Sequence, residues 1–332
     1  MVDAHSSFAH RKDSKSQFLK IPIKLWGYIF IIAAYSFLAY KLITFNQYAE
    51  FLNQWKQMPL SQFWWLAAVF LFLPFNWLIE SLKWKMMTIH IQKLSLKFSI
   101  KAVLAGISTG FFTPNRVGEM VGRILFLKPE NRKSGVTLSL VNSITQNIIM
   151  TFCGIPACIV FFSVTSGKMK FNLNLYLLMV GLFLIGLCFL YFFLPKLSKL
   201  LKKSRLAPKI KEFSDCLSAF SFSELIRIML ISLFRYVVFC IQFSFMLRFF
   251  GVELSSWQML ISIPTTYLFV TFTPSFAFSE VAVRGSLAVL IIGTFSNQTV
   301  GVALAGMCIW LVNFVIPMLV GSVVMLFNKQ ED

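Results

Sequence analysis

The sequence has few charged side chains, and most of those are cationic. Only 13% of its 332 residues are charged, with 13 Asp and Glu against 31 Lys and Arg, whereas 57% are hydrophobic. Together with a mean hydropathy of +0.74, this composition excludes an ordinary soluble domain and is typical of a polytopic membrane protein. The basic residues lie mainly in short loops beside apolar segments, where the positive-inside bias and anionic headgroups explain them. We therefore expect no nucleic-acid partner.

Residues that carry metal or hydrolytic chemistry are also scarce. The three histidines, His5, His10 and His90, lie near the N-terminus or beside an apolar segment. Five of the six cysteines lie inside apolar segments, and no disulfide or zinc spacing is present. The sequence contains no Ser-His-Asp pattern and no Gly-rich phosphate loop. We therefore expect no cofactor, no metal site and no catalytic residues, which favours a transporter over an enzyme.

Long apolar segments dominate the chain. Crossing a hydrocarbon core of about 30 Å takes roughly 20 apolar residues. Windows of that kind occur at 25–45, 63–82, 135–163, 174–195, 224–249 and 299–327. The sequence predicts an all-α integral membrane protein with six full transmembrane helices, the first of which remains as an anchor. It divides into a basic cytoplasmic N-terminus (1–24), one membrane domain (25–327) and a cytoplasmic tail (328–332).

The distribution of Lys and Arg orients these segments. Segments 83–101, 128–133 and 196–211 are rich in basic residues and are predicted to be cytoplasmic, whereas 46–62, 163–172, 250–257 and 294–298 are predicted to lie outside. Both termini are then predicted to be cytoplasmic, and the protein is predicted to lie in the plasma membrane. Segment 196–211 has an amphipathic Leu and Lys pattern, which predicts a helix lying on the membrane surface.

Residues 111–128, "FFTPNRVGEMVGRILFLK", lie between two basic segments that are both predicted to be cytoplasmic. The apolar arms on either side of Pro114 are each too short to cross the membrane. This pattern predicts a proline-broken re-entrant helical hairpin over 101–128.

The same pattern recurs later in the chain. Phe-Thr-Pro recurs at Pro274 with an offset of 160, and the pair Glu119 and Arg123 recurs as Glu280 and Arg284 with an offset of 161. The recurrence predicts a second hairpin over 259–293 and two repeats, 63–163 and 224–327. A single segment separates the repeats, so they are inverted, as in secondary transporters whose site lies near the midplane.

The charged residues of these motifs are candidates for substrate binding. Each Glu-x-x-x-Arg pair lies on one helix face and can form an ion pair. Ionisable residues at membrane depth are functional candidates, although the pairs could instead only neutralise each other and hold the hairpins. Arg116 accompanies backbone N–H groups that we expect to be free after Pro114, which predicts a site for an anion such as phosphate.

Polar residues of the full spans complete the candidate set. Arg235 lies in the middle of an apolar segment with no carboxylate close in sequence, and we expect Glu280 or a substrate phosphate to be its partner. Asn147 and Asn313 either line a substrate path or join helices. The predicted substrate-binding residues are Arg116, Glu119, Arg123, Arg235, Glu280, Arg284, Asn147 and Asn313, and the predicted hairpin breaks are Pro114 and Pro274.

The stretch "TPNRVGEMVGR" resembles the lysylphosphatidylglycerol synthase transmembrane family, also called the flippase-like domain family. The resemblance rests on Pro114, Arg116, Gly118, Glu119 and Arg123, then on Pro274 with Glu280, and finally on Trp310, Asn313 and Pro317. The second motif lacks the glycines expected between the proline and the glutamate. The resemblance implies an integral membrane protein that handles polar lipids.

Three functions remain open at this point. The first is a translocase for an anionic or polar lipid, or for a lipid-linked headgroup. The second is a membrane-embedded transferase or accessory subunit, which could work with a separate synthase or glycosyltransferase; the third is a non-transporting scaffold. Because the chain ends at Asp332, directly after the last span, we do not expect it to carry out lysyl transfer alone. Accessible Glu119 and Glu280 in one shared cavity would favour the translocase, and sealed carboxylates would favour the scaffold.

Overall fold

The computed structural model describes residues 53, 56, 59–113, 116–165, 173–201, 207–274 and 277–327, and all regular structure in them is helical. The predicted first span (25–45), both terminal segments and Pro114 lie outside these residues. The helices are α1 (Phe63–Met87), α2 (Leu96–Phe111), α3 (Gly118–Ile124), α4 (Arg132–Thr165), α5 (Leu173–Leu201), α6 (Ala207–Ser218), α7 (Phe222–Phe249), α8 (Ser256–Phe272), α9 (Ala277–Ile291), α10 (Thr299–Trp310) and α11 (Ile316–Leu326). Short 3₁₀ turns over Leu60–Gln62, Thr88–His90, Pro129–Asn131 and Ile292–Phe295 flank them, and a π-helical turn, Leu311–Val315, joins α10 to α11.

Five helical stretches of the described chain are long and apolar enough to cross a membrane. They are Leu60–His90, Pro129–Thr165, Leu178–Leu200, Phe222–Phe249 and Thr299–Leu326. Each overlaps one of the predicted spans. The multi-pass, all-α architecture is thus present in the described residues, and the remaining predicted span, 25–45, lies outside them.

Helices α2 and α3 form a closely packed antiparallel pair. Small residues make this contact possible, because a Cβ at Gly118 or Gly122 would clash with the backbone of Thr109 or Ala105. The Thr109 hydroxyl donates to the carbonyl of Gly118 at 2.7 Å and accepts from the N–H of Gly122 at 3.1 Å. Helix α2 begins at Leu96, a few residues before the start of about 101 predicted for this segment, and the Ser95 side chain caps it.

Both ends of the α2–α3 pair lie at one end of the helical bundle. The backbone N–H of Lys128 donates to Gln92 Oε1 at 2.9 Å, so the segment that leaves α3 touches the segment that enters α2. The α8–α9 pair has the same property. Trp257, at the start of α8, contacts Phe295 beyond the end of α9, with ring centroids 5.7 Å apart. Each pair therefore enters and leaves the bundle at a single end.

The two pairs enter from opposite ends. His90, directly after α1, lies 2.9 Å from Glu224 at the start of α7. At the other end, a Cβ on Gly251, just after α7, would lie 3.5 Å from the side chain of Gln62, just before α1. Helices α1 and α7 are therefore antiparallel. Since the α2–α3 pair follows the end of α1 and the α8–α9 pair follows the end of α7, the tips of the two pairs point toward each other.

Each pair also packs on the last helix of the other half of the chain. Ser108 of α2 donates to the carbonyl of Met318 in α11 at 2.6 Å, and Gly154 of α4 faces Leu268 of α8. A large buried apolar cluster that includes Phe243 and Leu304 holds α1, α7, α8 and α10 together. The packing thus fixes the positions of the two tips.

Helices α5 and α6 link the two halves. The predicted surface helix over 196–211 is wrong in its bounds, because α5 continues through Pro195 to Leu201 and the amphipathic helix is α6. Ser198 and Ser214 join the two helices, since each hydroxyl donates to the other residue's carbonyl, at 2.8 and 2.6 Å.

Candidate functional site

The tips of the two helix pairs meet through one ion pair. Arg116, just before α3, donates from Nη2 to Glu280 Oε1 of α9 at 2.7 Å. Arg284 donates to the same oxygen at 2.9 Å. The Arg116 guanidinium also lies over the ring of Phe314, 3.4 Å from its centroid. Glu280 Oε1, in the second helix pair, therefore accepts hydrogen bonds from arginines of both helix pairs.

The turn before α3 places Arg116 in this position. Arg116 has a φ of 58°, a left-handed conformation that residues other than glycine rarely adopt. The Thr113 hydroxyl accepts from the N–H of Gly118, the first residue of α3, at 2.7 Å. The prediction that free backbone N–H groups follow Pro114 is therefore wrong for Gly118. At this tip the group available to bind an anion is the cationic side chain of Arg116.

The structure contains both ion pairs expected from the i, i+4 spacing. Arg123 lies 3.2 Å from Glu119, and Arg284 lies 2.9 Å from Glu280. Their surroundings differ. The Arg123 side chain is almost fully buried, whereas the Glu119 side chain is 26% exposed and that of Glu280 is 13% exposed. Both carboxylates are thus reachable, while Arg123 lies behind them.

Glu80 of α1 is a central residue that the sequence interpretation missed. Its side chain is 1% exposed; Oε2 lies 2.9 Å from Lys83 and 2.9 Å from Arg235, and Oε1 lies 2.8 Å from Arg123. Asn142 of α4 also donates to Oε1, at 2.9 Å. One carboxylate therefore joins α1, α3, α4 and α7.

The expected pairing of Arg235 with Glu280 is wrong, because its partner is Glu80. Arg235 Nε also donates to Asn76 Oδ1 at 2.8 Å. The signal that could have found Glu80 was present, since it is the only acidic residue in the predicted span 63–82. A carboxylate at membrane depth requires a cationic partner, and Arg235 was the cation without one.

These contacts form two ion-pair networks, one around Glu80 that includes Glu119 and one around Glu280. Residues of both networks line the same cavity, and we call the two networks together the charged cluster. Its members are Glu80, Lys83, Arg116, Glu119, Arg123, Arg235, Glu280 and Arg284. Five cations and three carboxylates give it a formal excess of two positive charges. Leaving cations uncompensated in a buried site is costly, so this excess favours an anionic ligand.

A cavity of about 360 Å³, which we call the charged cavity, opens beside the cluster. Both helix pairs contribute to its wall, together with α4, α7 and the π-helical turn. Its polar lining consists of Thr113, Arg116, Glu119, Asn142, Ser143, Gln146, Asn147, Arg235, Thr271, Thr273, Glu280 and Arg284. Asn142 Oδ1 and both polar atoms of the Gln146 side chain have no hydrogen-bond partner within the described chain. Buried polar atoms of this kind normally bind water or a ligand.

Six of the eight predicted substrate-binding residues line the charged cavity. Arg123 does not line the charged cavity but supports it through Glu80 and Glu119. Asn313 lines a smaller adjoining cavity of about 50 Å³, which shares Arg284 with the charged cavity. Pro274 lies between α8 and α9, and Pro114 lies outside the described residues.

The π-helical turn that carries Asn313 has a local cause. Pro317 follows four residues later and has no N–H to donate to the Asn313 carbonyl, so regular α-helical bonding is interrupted there. Such turns occur frequently at functional sites. Among the described residues, no group of three or more His, Cys, Asp or Glu side chains is placed to hold a metal ion.

Comparison with known proteins agrees with a lipid-related membrane domain. The family model for the lysylphosphatidylglycerol synthase TM region matches residues 25–324, which include both helix pairs and the charged cluster. Neither the curated proteins nor the solved structures contain a match.

Proposed function

Because the chain belongs to the lysylphosphatidylglycerol synthase TM region family, we propose that it is a translocase for an anionic lipid or lipid-linked headgroup. The headgroup binds in the charged cavity, between the two helix pairs. The observation that carries this proposal is the formal excess of two positive charges in the charged cluster beside a cavity that both pairs line.

The charge balance of the charged cluster favours ligand binding over a purely structural role. Ion pairs that only hold helices together need equal numbers of cations and carboxylates, because each uncompensated charge at membrane depth costs at least about 2.5–3.5 kcal/mol. Arg116 and Arg235 both line the charged cavity, and their side chains are 28% and 17% exposed. A phosphate group matches guanidinium geometry and would neutralise the excess.

The arrangement of the helix pairs supports alternating access. In the bilayer, each pair acts as a re-entrant hairpin, and the two enter from opposite faces. The contact between Arg116 and Glu280 joins the tips. Rocking one half against the other would open the charged cavity to one face and then to the other, as in transporters built from inverted repeats.

The accessible carboxylates disfavour the scaffold. Glu119 and Glu280 line the same cavity and are partly exposed, whereas a purely structural network would be sealed.

A reconstitution assay tests the proposal. Proteoliposomes would contain fluorescent phosphatidylglycerol or, in parallel, fluorescent phosphatidylcholine, and dithionite quenching would measure transfer between leaflets. We expect the parent to move the anionic probe faster. Arg116→Gln and Arg235→Gln should each slow it about tenfold or more, since a hydrogen bond to a charged group contributes roughly 1.5–3 kcal/mol.

Arg248→Gln is the matched control, because Arg248 is exposed on α7, the helix that carries Arg235, and does not line the charged cavity. It should translocate the anionic probe at the parent rate. Equal rates for the parent, Arg116→Gln and Arg235→Gln, with all proteins folded and inserted, would show that the charged cavity is not the headgroup site.

A further inference from the structure

A second cavity adjoins the charged cavity and has the opposite chemical character. It measures about 650 Å³ and lies between α4, α5 and α8. Its wall is almost entirely apolar, with Ile144, Ile148, Phe183, Leu187, Leu268 and Phe272 among the lining residues. We call it the apolar groove.

The apolar groove and the charged cavity share part of their walls. Asn147 of α4 and Thr273, directly after α8, line both. These two polar residues therefore mark the boundary between an apolar compartment and a cationic one. A single amphiphilic molecule can extend from one compartment into the other past Asn147 and Thr273.

The apolar groove is open toward the side of the bundle. Phe183 of α5 is 55% exposed and Phe272 of α8 is 59% exposed. Helix α5 is one of the spans, so its exposed apolar face lies in the hydrocarbon of the membrane. A lipid can then enter sideways without exposing its chain to water.

We propose that the apolar groove binds the hydrocarbon chain of the same lipid whose anionic headgroup occupies the charged cavity. This inference rests on the proposed function and adds the substrate class, an amphiphilic lipid in which the anionic headgroup and at least one long hydrocarbon chain belong to the same molecule. The chain is held by the protein near Asn147 and is not left in the bulk bilayer. Hydrocarbon is the ligand that matches the mostly apolar wall of this groove.

Photo-crosslinking locates the chain. The probe is phosphatidylglycerol with a diazirine at the end of one acyl chain, presented to the full-length protein in phosphatidylcholine nanodiscs. An equivalent phosphatidylcholine probe reports the lipids that merely surround the protein. We expect the phosphatidylglycerol probe to label peptides of α4, α5 and α8 that line the apolar groove, above the level of the phosphatidylcholine probe.

A matched pair of substitutions on α5 tests the position. Leu187 lines the apolar groove, whereas Ile185 is 68% exposed on the same helix and does not. Leu187→Trp fills the groove and should lower its labelling about tenfold, as expected for overpacking of an occupied site. Ile185→Trp should label like the parent. Even labelling of all lipid-facing segments, identical for the two probes, would overturn the proposal.

The same samples separate this inference from the proposed function. If the headgroup binds in the charged cavity but the chain does not bind in the apolar groove, Arg116→Gln slows translocation while Leu187→Trp translocates lipid at the parent rate. If the apolar groove binds a chain but the headgroup does not bind in the charged cavity, Arg116→Gln leaves the labelling of the groove unchanged. If the apolar run 25–45 fills the groove instead, no probe labels it and Leu187→Trp lowers the melting temperature, which would also overturn the proposal.

Discussion

Arg235 of α7 and Glu80 of α1 form an ion pair with a separation of 2.9 Å. The same carboxylate holds Lys83 at 2.9 Å and Arg123 at 2.8 Å. Three cations from three helices therefore depend on one buried anion. Glu80 consequently holds together the part of the charged cluster that α1, α3 and α7 contribute.

Glu80→Gln should strongly destabilise the protein. The amide keeps the shape of the side chain but removes its charge. Lys83 and Arg235 then lose their carboxylate partner, and Arg123 keeps only Glu119. Removing one partner of a buried ion pair typically costs about 3–5 kcal/mol. The free energy of unfolding in detergent, measured by denaturant titration, would test this.

Glu212→Gln is the matched control for that experiment. Its partner Lys133 lies 2.9 Å away, but their side chains are 52% and 80% exposed. Exposed pairs contribute about 1 kcal/mol or less, so we expect little change. If Glu80→Gln lowers the free energy of unfolding no more than Glu212→Gln does, the result contradicts a structural role for the Glu80 network.

Local patterns explain which parts of the site could be predicted. The pairs Glu119 with Arg123 and Glu280 with Arg284 follow from i, i+4 spacing within one helix, and the repeated Phe-Thr-Pro motif marks the two tips. The partner of Arg235 could not be found in this way, because Glu80 lies on a different helix far away in sequence. Pairing between spans depends on how the helices pack, and hydropathy carries no information about that.

The helix bounds show a similar limit. Hydropathy predicted that the first hairpin starts at 101 and that a span ends at 195, yet α2 begins at Leu96 and α5 ends at Leu201. Both extensions contain exposed lysines, such as Lys97 and Lys199, and a long lysine side chain allows a helix to continue beyond its apolar run. The apolar run therefore measures the membrane-embedded part of a helix and not the helix itself.

Gly122→Ala should destabilise the α2–α3 pair. A Cβ at this position would clash with the carbonyl oxygen of Ala105 and with the Thr109 hydroxyl. Overpacking of a tight contact typically costs about 1–3 kcal/mol, and Arg116 would lose its position as the tip shifts. The melting temperature and the translocation rate should both fall.

Gly181→Ala provides the comparison for that change. Gly181 lies in α5, and an added Cβ there meets nothing within 4 Å. Since alanine favours the helix by roughly 1 kcal/mol over glycine, we expect an unchanged or slightly higher melting temperature. If the two substitutions lower the melting temperature equally, the close approach of α2 and α3 is unimportant for stability.

Glu280→Gln should tighten binding of an anionic lipid while slowing its release. The carboxylate oxygen Oε1 now accepts from Arg116 at 2.7 Å and from Arg284 at 2.9 Å. Removing its charge frees both guanidinium groups for a phosphate and raises the formal excess of the cluster to three. We expect affinity for a short-chain phosphatidylglycerol to rise about tenfold, the scale of one charge-assisted hydrogen bond.

Calorimetry would measure that affinity, and the proteoliposome assay would measure turnover. Glu253→Gln serves as the control, because Glu253 is exposed in the turn between α7 and α8, away from the charged cavity. It should bind and translocate like the parent. If Glu280→Gln instead weakens binding, Glu280 contacts a cationic part of the ligand, and the headgroup is not purely anionic.

Cysteine accessibility tests whether each helix pair is re-entrant. Lys93 and Glu130 are exposed residues that flank the α2–α3 pair, and Glu253 and Asn297 are exposed residues that flank the α8–α9 pair. In a variant without native cysteines, Lys93→Cys and Glu130→Cys should react with an impermeant maleimide from the same face of the membrane. Glu253→Cys and Asn297→Cys should both react from the opposite face.

The positive-inside bias predicts that the first of these faces is cytoplasmic, so inverted vesicles should label Lys93→Cys and Glu130→Cys and intact cells should label Glu253→Cys and Asn297→Cys. If a pair crossed the membrane completely, its two flanking positions would react from opposite faces. The hydrogen bond of 2.9 Å between Lys128 and Gln92 argues against this outcome for the first pair, since it holds the two flanks together. A split result there would therefore rule out both the hairpin and the alternating-access geometry that depends on it.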